Sequence, residues 1–474
     1  MSGGTPPHPR AGRPCHRKFS LALRFLCFLW PIGLGLGASF AHAAAPAPLN
    51  IILVTADDLG LQVGAYGDRL AATPHLDALA ARSVMFRDAW VVQSSCSPSR
   101  SALLTGLWPH QNGQVGLVNG GFSMKPGMVT LPARLKTAGF ATGIIGKLHV
   151  DPPKAFPFDT AHSGQGVSRH VLNVTQWAAE FFTANQAKPF FLMVNFFDPH
   201  RPFVPELAGH PKKKFTTAEI AGSTLFNLMA KPDAAEVAAY YQCIARFDDG
   251  LGLLLTAVER AGLASRTVIL VMSDNGPPFP GAKSTCYEPG LRTPLVVAWP
   301  GVAPRVVATP VSLIDIAPTV LDAAGLPPVA SLAGQSLRRY FTGTAAPPGD
   351  TLIFAEFTSH TRENFFPMRT VKDGRYQLIR NLGSLRSIDG AGGTSGGPKA
   401  QENSPDIGPT AAWRQPSYEE LFDLTADQSG RTNVASDPAH AAALLRLRAA
   451  LIAWQERTGD PLRDAFPRAA TGKK

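Results

Sequence analysis

Four short polar clusters carry most of the chemistry in this chain: Asp57-Asp58, Lys147-Leu148-His149, Asp198-Pro199-His200 and Asp274-Asn275. Asp57, Asp58, Asp274 and Asn275 offer oxygen donors. Such a set suits a hard cation, Ca²⁺ or Mg²⁺, and not zinc, which prefers His and Cys. Lys147, His149 and His200 add positive charge and proton-transfer capacity. A fifth segment, Cys96-Ser97-Pro98-Ser99-Arg100, carries a nucleophile. Pro98 fits the first turn of a helix running to Thr105, with Gly106 as its stop. Residue 96 then lies at a helix N-terminus, where backbone N–H groups favour an anion. Arg100 follows on the next turn.

These clusters need elements to position them. Asn50-Ile51-Ile52-Leu53-Val54-Thr55-Ala56 is a nearly continuous apolar run, the pattern of a strand buried on both faces. Similar runs recur at 141–145, 189–196 and 267–272, and a polar cluster follows each. Helical patterns lie between them. Thr73 is an N-cap with Pro74 at the first helical position, and Leu76, Leu79, Ala80 and Val84 form an apolar stripe. Residues 236–258 also carry a helical pattern. The expected class is α/β, with a large mostly parallel sheet sandwiched by helices. In such a sheet, ligands sit beyond the carboxyl ends of the strands. Each cluster alone is ordinary turn chemistry. Four at one edge are a candidate site.

The pattern changes after about residue 345. Runs at 351–354, 368–371 and 376–382, with a turn at Asp373-Gly374, predict a smaller C-terminal α+β domain built on an antiparallel sheet. Residues 383–417, rich in Gly, Ser and Pro, predict a long loop. Asp437 and Pro438 predict the start of a helix reaching about Thr458, with Leu444, Leu445, Leu447, Leu451 and Trp454 as its apolar residues. The expected division is 1–43, 44–345 and 346–474.

Residues 1–43 have the form of a secretory signal: a basic start, a short apolar run and Ala41-His42-Ala43 as the cleavage site. Cleavage there removes Arg10, Arg13, Arg17, Lys18 and Arg24 and no acid, so the formal charge falls from +10 to +5. The expected location is periplasmic or secreted. No later run is long and apolar enough to span a membrane, and no basic stripe of the nucleic-acid type is present. Cys96, Cys243 and Cys286 remain after cleavage, too few for a disulfide framework. Cys243 reads as a small buried apolar residue, and a pair with Cys286 stays open.

The motifs resemble the formylglycine sulfatases of the alkaline-phosphatase superfamily, over about residues 50–460. The start Cys96-Ser97-Pro98-Ser99-Arg100 is similar to the signal by which that family marks a cysteine for oxidation to formylglycine. Cysteine phosphatases, by contrast, space Cys and Arg by five residues, and three stand here. Within the family the likeness is greatest to the sulfamidases, the heparan N-sulfatases acting on N-sulfoglucosamine. The similar stretches include Ala72-Thr73-Pro74-His75-Leu76-Asp77, His110-Gln111-Asn112-Gly113, Gly146-Lys147-Leu148-His149, Asp198-Pro199-His200-Arg201 and Pro367-Met368-Arg369. The resemblance implies that Asp57, Asp58, Asp274 and Asn275 bind Ca²⁺, with Mg²⁺ as the alternative. It implies that Cys96, as formylglycine hydrate, is both nucleophile and metal ligand. Arg100 and Lys147 would stabilise the hydrate and the sulfate oxygens, and His149 would be the base that releases sulfate. His200 and Lys283 would contact the sulfo group and protonate the leaving atom. His360 and Arg362 would rim the substrate pocket. The implied partners are a sulfated saccharide and, during maturation, a formylglycine-generating enzyme; a homodimer is among the states allowed. The metal reading and the cysteine reading support each other. A thiol is a poor ligand for a hard cation, while a hydrated aldehyde offers oxygen.

One stretch departs from the sulfamidase likeness. Lys283-Ser284-Thr285, with Glu288, Gly290 and Arg292, looks more like the O-sulfatase pattern; sulfamidases carry Arg where Lys283 stands. An O-sulfatase acting on a sulfated sugar or aryl ester is therefore the first alternative, and a phosphonate or phosphodiester hydrolase with the same core is the second. A non-catalytic glycan binder would need Cys96 to stay unmodified. His75, His110 and His210 are expected to be structural or on the surface.

Overall fold

The structure, a computed structural model, describes residues 48–463 except 165, 229–230, 342–350, 363–364, 383–415, 428–429 and 431. The expected signal and nearly all of the expected loop 383–417 lie outside the described residues.

The large sheet contains β1 (Asn50–Ala56), β2 (Val84–Trp90), β3 (Ala141–Gly146), β4 (Thr160–Ser163), β5 (Phe190–Asn195), β6 (Thr267–Ser273), β7 (Arg292–Ala298), β8 (Arg305–Val307) and β9 (Val311–Ser312). Its order is β4-β3-β5-β1-β6-β7-β2-β8, with β9 also on β2. Neighbours are parallel except β7, which runs antiparallel to both β6 and β2. β1 sits between β5 and β6, with Ile51 opposite Phe191 and Val54 opposite Val271.

The continuous apolar run of β1 has a direct cause. Ile51 and Leu53 face one side and pack with Leu103, Leu104, Leu131 and Ile316. Ile52, Val54 and Ala56 face the other and pack with Leu76, Leu79, Val174 and Val237. Each fully buried aliphatic side chain contributes about 1.5–3 kcal/mol, so both faces must be covered. The covering helices on the first side are α2 (Cys96–Thr105), α4 (Leu131–Thr137) and α8 (Ile316–Ala323), and those on the second are α1 (Pro74–Ala81), α5 (Val171–Ala184) and α6 (Ala234–Arg260). Two short helices, α3 (Pro109–Asn112) and α7 (Glu288–Leu291), lie in connections. Asp233 caps α6 by accepting from the N–H groups of Ala235 and Glu236 at 2.8 and 3.1 Å. Thr73 does begin α1, but its hydroxyl does not cap the helix. It accepts from Gly64 N and donates to Asp77 Oδ1 instead.

The second sheet is antiparallel, β10 (Ile353–Ser359), β11 (Phe365–Lys372), β12 (Tyr376–Asn381) and β13 (Glu419–Asp423). β13 was not legible as a strand, because two of its residues are glutamates. Arg380 and Arg448 pair with Glu419 at 2.9 and 2.6 Å, and Tyr287 and Asn381 donate to Glu420. The last helix, α9 (Ala441–Thr458), lays Leu447, Leu451 and Trp454 on Val371, Leu378 and Leu421. Leu445 lies off that stripe and is 61 % exposed. Cys96, Cys243 and Cys286 are all buried and free, so Cys243 and Cys286 do not pair. Among the described residues, no helix is long and apolar enough to cross a membrane.

Candidate active site and metal centre

The four polar clusters converge because β3, β5, β1 and β6 are adjacent and parallel. Their carboxyl ends therefore lie at one edge, and the residues after each strand share one space. Two turns there require unusual backbone. Asp58 and His149 hold φ at 71° and 52°, in the left-handed region that non-glycine residues rarely occupy. Strain of this kind persists only where surrounding contacts enforce it.

Those contacts are dense. Lys147 Nζ donates to Asp57 Oδ2 at 2.7 Å. Arg100 Nε donates to Asp274 Oδ2 at 2.8 Å, and its Nη1 donates to the Lys147 carbonyl at 3.1 Å. The Asp58 N–H donates to Asp274 Oδ1 at 3.0 Å, and Asn275 Nδ2 donates to Asp58 Oδ1 at 2.7 Å. Lys283 Nζ lies 2.9 Å from both Asp58 carboxylate oxygens. His200 Nε2 faces Asp58 Oδ2 at 3.8 Å, while its Nδ1 donates to the Arg201 carbonyl. Cys96 Sγ is 3.7 Å from Asp57 Oδ1.

Cys96 opens α2, as the Pro98 and Gly106 signals implied; Gly106 ends the helix at φ 68° and donates to the Ala102 carbonyl. Burial pushes the Cys96 thiol up to about 12, against the opposing pull of Lys147 and Lys283. It is therefore protonated at neutral pH and, as a thiol, a weak nucleophile. Burial would raise Asp57, yet Lys147, His200, Arg100 and Lys283 together hold it well below the ordinary carboxylate range. Burial, reinforced by Lys147, drives His149 down to about 2. His200 is also lowered, chiefly by burial.

Asp57, Asp58, Cys96 and His200 bring one candidate ligand atom each within 4.8 Å of the others. Asp274 is outside that set and joins through Arg100 and the Asp58 backbone. A hard cation fits the residues present. Asn275 Oδ1 is buried with no hydrogen-bond partner, an orphaned acceptor beside three carboxylates. Asp57, Asp58 and Asp274 face Arg100, Lys147 and Lys283, so the formal charges cancel. A divalent cation would leave an excess of positive charge, which favours an anionic group in the pocket.

The structure also shows contacts that motif reading passed over. Asn119 Oδ1 lies 3.3 Å from His149 Nε2. Asp198 does not reach the cation space; Arg246 and Arg169 hold it, and Arg169 Nη2 donates to the His200 carbonyl. His360, buried immediately after β10 ends at Ser359, meets Ser95 Oγ at 2.9 Å. Arg362 lies further out and donates to the carbonyls of Gly120 and Gly121. His110 is structural. It pairs with Glu356 and stands edge-on to Trp454.

The sulfatase family model matches residues 49–326. The chain belongs to the sulfatase family. It is thus a hydrolase of sulfate esters or sulfamates. A second family model, for the C-terminal part of N-sulphoglucosamine sulphohydrolase, matches residues 282–388 of this sulfatase. The sulfatase is 34 % identical to human N-sulphoglucosamine sulphohydrolase, over 87 % of this chain and 91 % of that protein. It is 30 % identical to bovine arylsulfatase A, over 86 % of each. A Bacteroides fragilis structure named as a sulfatase superposes with a TM-score of 0.69 at 21 % identity, covering 90 % of this chain and 99 % of the other. That last likeness carries the fold alone.

Proposed function

We propose that this sulfatase hydrolyses the sulfamate of N-sulfoglucosamine at the end of a heparan- or heparin-type chain, after export and removal of residues 1–43. The observation that carries this reading is the match of the second sheet's region to N-sulphoglucosamine sulphohydrolase, together with 34 % identity along nearly the whole of the human protein. The division into 44–345 and 346–474 belongs to the same proposal.

Cys96 works as formylglycine hydrate. Its buried thiol is poorly suited to attack, whereas a geminal diol offers oxygen beside Asp57. Asp57, Asp58, Asp274, Asn275 and the residue-96 oxygen would hold Ca²⁺. When bound, the ion supplies Lewis acidity to the sulfo oxygens and to the neighbouring hydroxyl. Lys147, Arg100 and Lys283 stabilise the negative charge that develops on the sulfo oxygens. One hydroxyl of residue 96 attacks sulfur and gives its proton to Asp57, whose Oδ1 lies 3.7 Å from the residue-96 side chain; the N–S bond breaks, and its electron pair leaves on nitrogen. Lys283 supplies that nitrogen's proton, while His200, whose ring proton is held on Nδ1, faces it through Nε2. His149 then takes the proton of the second hydroxyl. The aldehyde re-forms as the C–O bond to sulfate breaks, and water restores the hydrate.

The test is a side-by-side assay of N-sulfoglucosamine, glucosamine 6-sulfate and 4-nitrophenyl sulfate. A higher kcat/KM on N-sulfoglucosamine is expected. Preference for either O-sulfate overturns the reading in favour of the O-sulfatase alternative, which Lys283 supports.

A further inference from the structure

Ser95 is the N-cap residue of α2, directly before Cys96, yet its hydroxyl does not cap the helix. It turns to His360 Nδ1 at 2.9 Å. Ser95 is fully buried, and among the described residues His360 is its one side-chain partner. This determines the tautomer. If Nδ1 carried the proton, the Ser95 hydroxyl proton would be buried without an acceptor, which is unfavourable. Ser95 therefore donates to Nδ1, and the His360 proton sits on Nε2. Among the described residues no protein group accepts from Nε2. His360 is 6 % exposed and lies within electrostatic reach of Lys283, Asp58, His200 and Lys147. Burial, with Lys283 adding to it, drives His360 down to about 3, so the ring is neutral. Its backbone is also pinned, since the Leu117 N–H donates to the His360 carbonyl at 2.8 Å.

We infer that His360 Nε2–H is a specificity-determining donor to an uncharged oxygen of the sugar, a ring hydroxyl beside the sulfated position, and that Ser95 is the positioning residue that sets it. The cations of the site serve the sulfo group. A neutral donor just after β10 discriminates differently, because a hydrogen bond to a hydroxyl is lost when the substrate lacks one. This inference rests on the proposed saccharide substrate.

Ser95→Ala, Ser95→Thr, His360→Leu and His360→Gln are compared on N-sulfoglucosamine, glucosamine 6-sulfate and 4-nitrophenyl sulfate. Rates are normalised to the fraction of residue 96 in the formylglycine form, measured by mass spectrometry. In Ser95→Ala and His360→Leu, the saccharide KM is expected to rise about fivefold to tenfold, and by more than any rise on the aryl sulfate, which has no sugar hydroxyl. Ser95→Thr and His360→Gln, which keep the hydroxyl and a neutral N–H donor, recover most of the loss. Equal losses on all three substrates, or no loss on the saccharides, overturn the inference. If the wild type turns over the aryl sulfate and neither saccharide, the proposed substrate class fails, a result separable from any behaviour of the variants.

Discussion

Arg246 grips Asp198 in the interior with two bonds, Nε to Oδ2 at 2.6 Å and Nη2 to Oδ1 at 2.9 Å. The arginine sits midway along α6, and the aspartate follows β5. The pair anchors the segment that carries His200, and the Asp198 carbonyl accepts from the Asp57 N–H at 3.2 Å. Arg246→Met removes both hydrogen bonds and leaves the buried carboxylate only the more distant Arg169, at 3.6 Å. A loss of about 3–5 kcal/mol is expected, read as a lower urea midpoint. A loss below about 1 kcal/mol would contradict the assigned pairing.

Gly146 ends β3 and turns the chain toward Lys147 and His149. Its φ is 94°, and a Cβ there would lie 2.0 Å from the Asn195 carbonyl oxygen. Gly146→Ala must shift one backbone against the other. The expected cost is at least about 2 kcal/mol, with a fall in kcat because Lys147 and His149, the proposed catalytic side chains, follow the turn. Wild-type stability in this variant would mean that the close approach is not maintained.

Residue 96 offers a direct chemical reading. A tryptic peptide across Cys96 from active enzyme should be about 18 Da lighter than its cysteine form, a change outside the usual thiol oxidation ladder. An unmodified peptide in fully active protein sinks the formylglycine mechanism. Cys96→Ala should abolish turnover on every substrate.

Lys283 is 1 % exposed and bound to Asp58. Lysine can release a proton to a leaving alkoxide, whereas arginine holds its proton. Lys283→Arg is expected to cut aryl sulfate kcat more than tenfold, roughly the scale of general-acid catalysis, and N-sulfoglucosamine kcat by less. Equal effects would show that Lys283 binds the sulfo group without acting as a proton donor.

Asp460 gives the acid limb of stability a structural origin. Burial alone would raise its pKa, but Arg369 donates twice, at 2.7 and 2.9 Å, and with Gln455 and the Leu462 N–H brings it to about 2. A folded pKa below the unfolded value means that the stabilisation is complete above about pH 4 and disappears as pH falls toward 2. The urea midpoint of the wild type should therefore drop across that window. Asp460→Asn should start lower and drop less. A parallel drop in both proteins would remove Asp460 from the explanation.

Much of the fold was legible locally. β1, β3, β5 and β6 appear as apolar runs because strands covered on both faces have no polar side to show. α2 announced itself through Pro98 and Gly106, and α9 through Asp437 and Pro438, although the latter pair opens a 3-10 turn before the α-helix begins. The polar clusters were placed at strand ends by the same logic, and parallel pairing then puts them on one edge.

Other features depend on which surfaces dock. The antiparallel direction of β7 leaves no mark on its own residues. β13 is concealed by Glu419 and Glu420, whose charges make sense only beside Arg380, Arg448, Tyr287 and Asn381. Asn119 on His149, Ser95 on His360 and Arg246 on Asp198 are pairs with no spacing rule, separated by 30, 265 and 48 residues. The sequence by itself determined the donor types, the helix that Cys96 opens and four strands of the large sheet, β1, β3, β5 and β6. Only the tertiary structure decided the orientation and partners of the site's side chains, because burial forces each polar atom to find whatever group packing brings within reach.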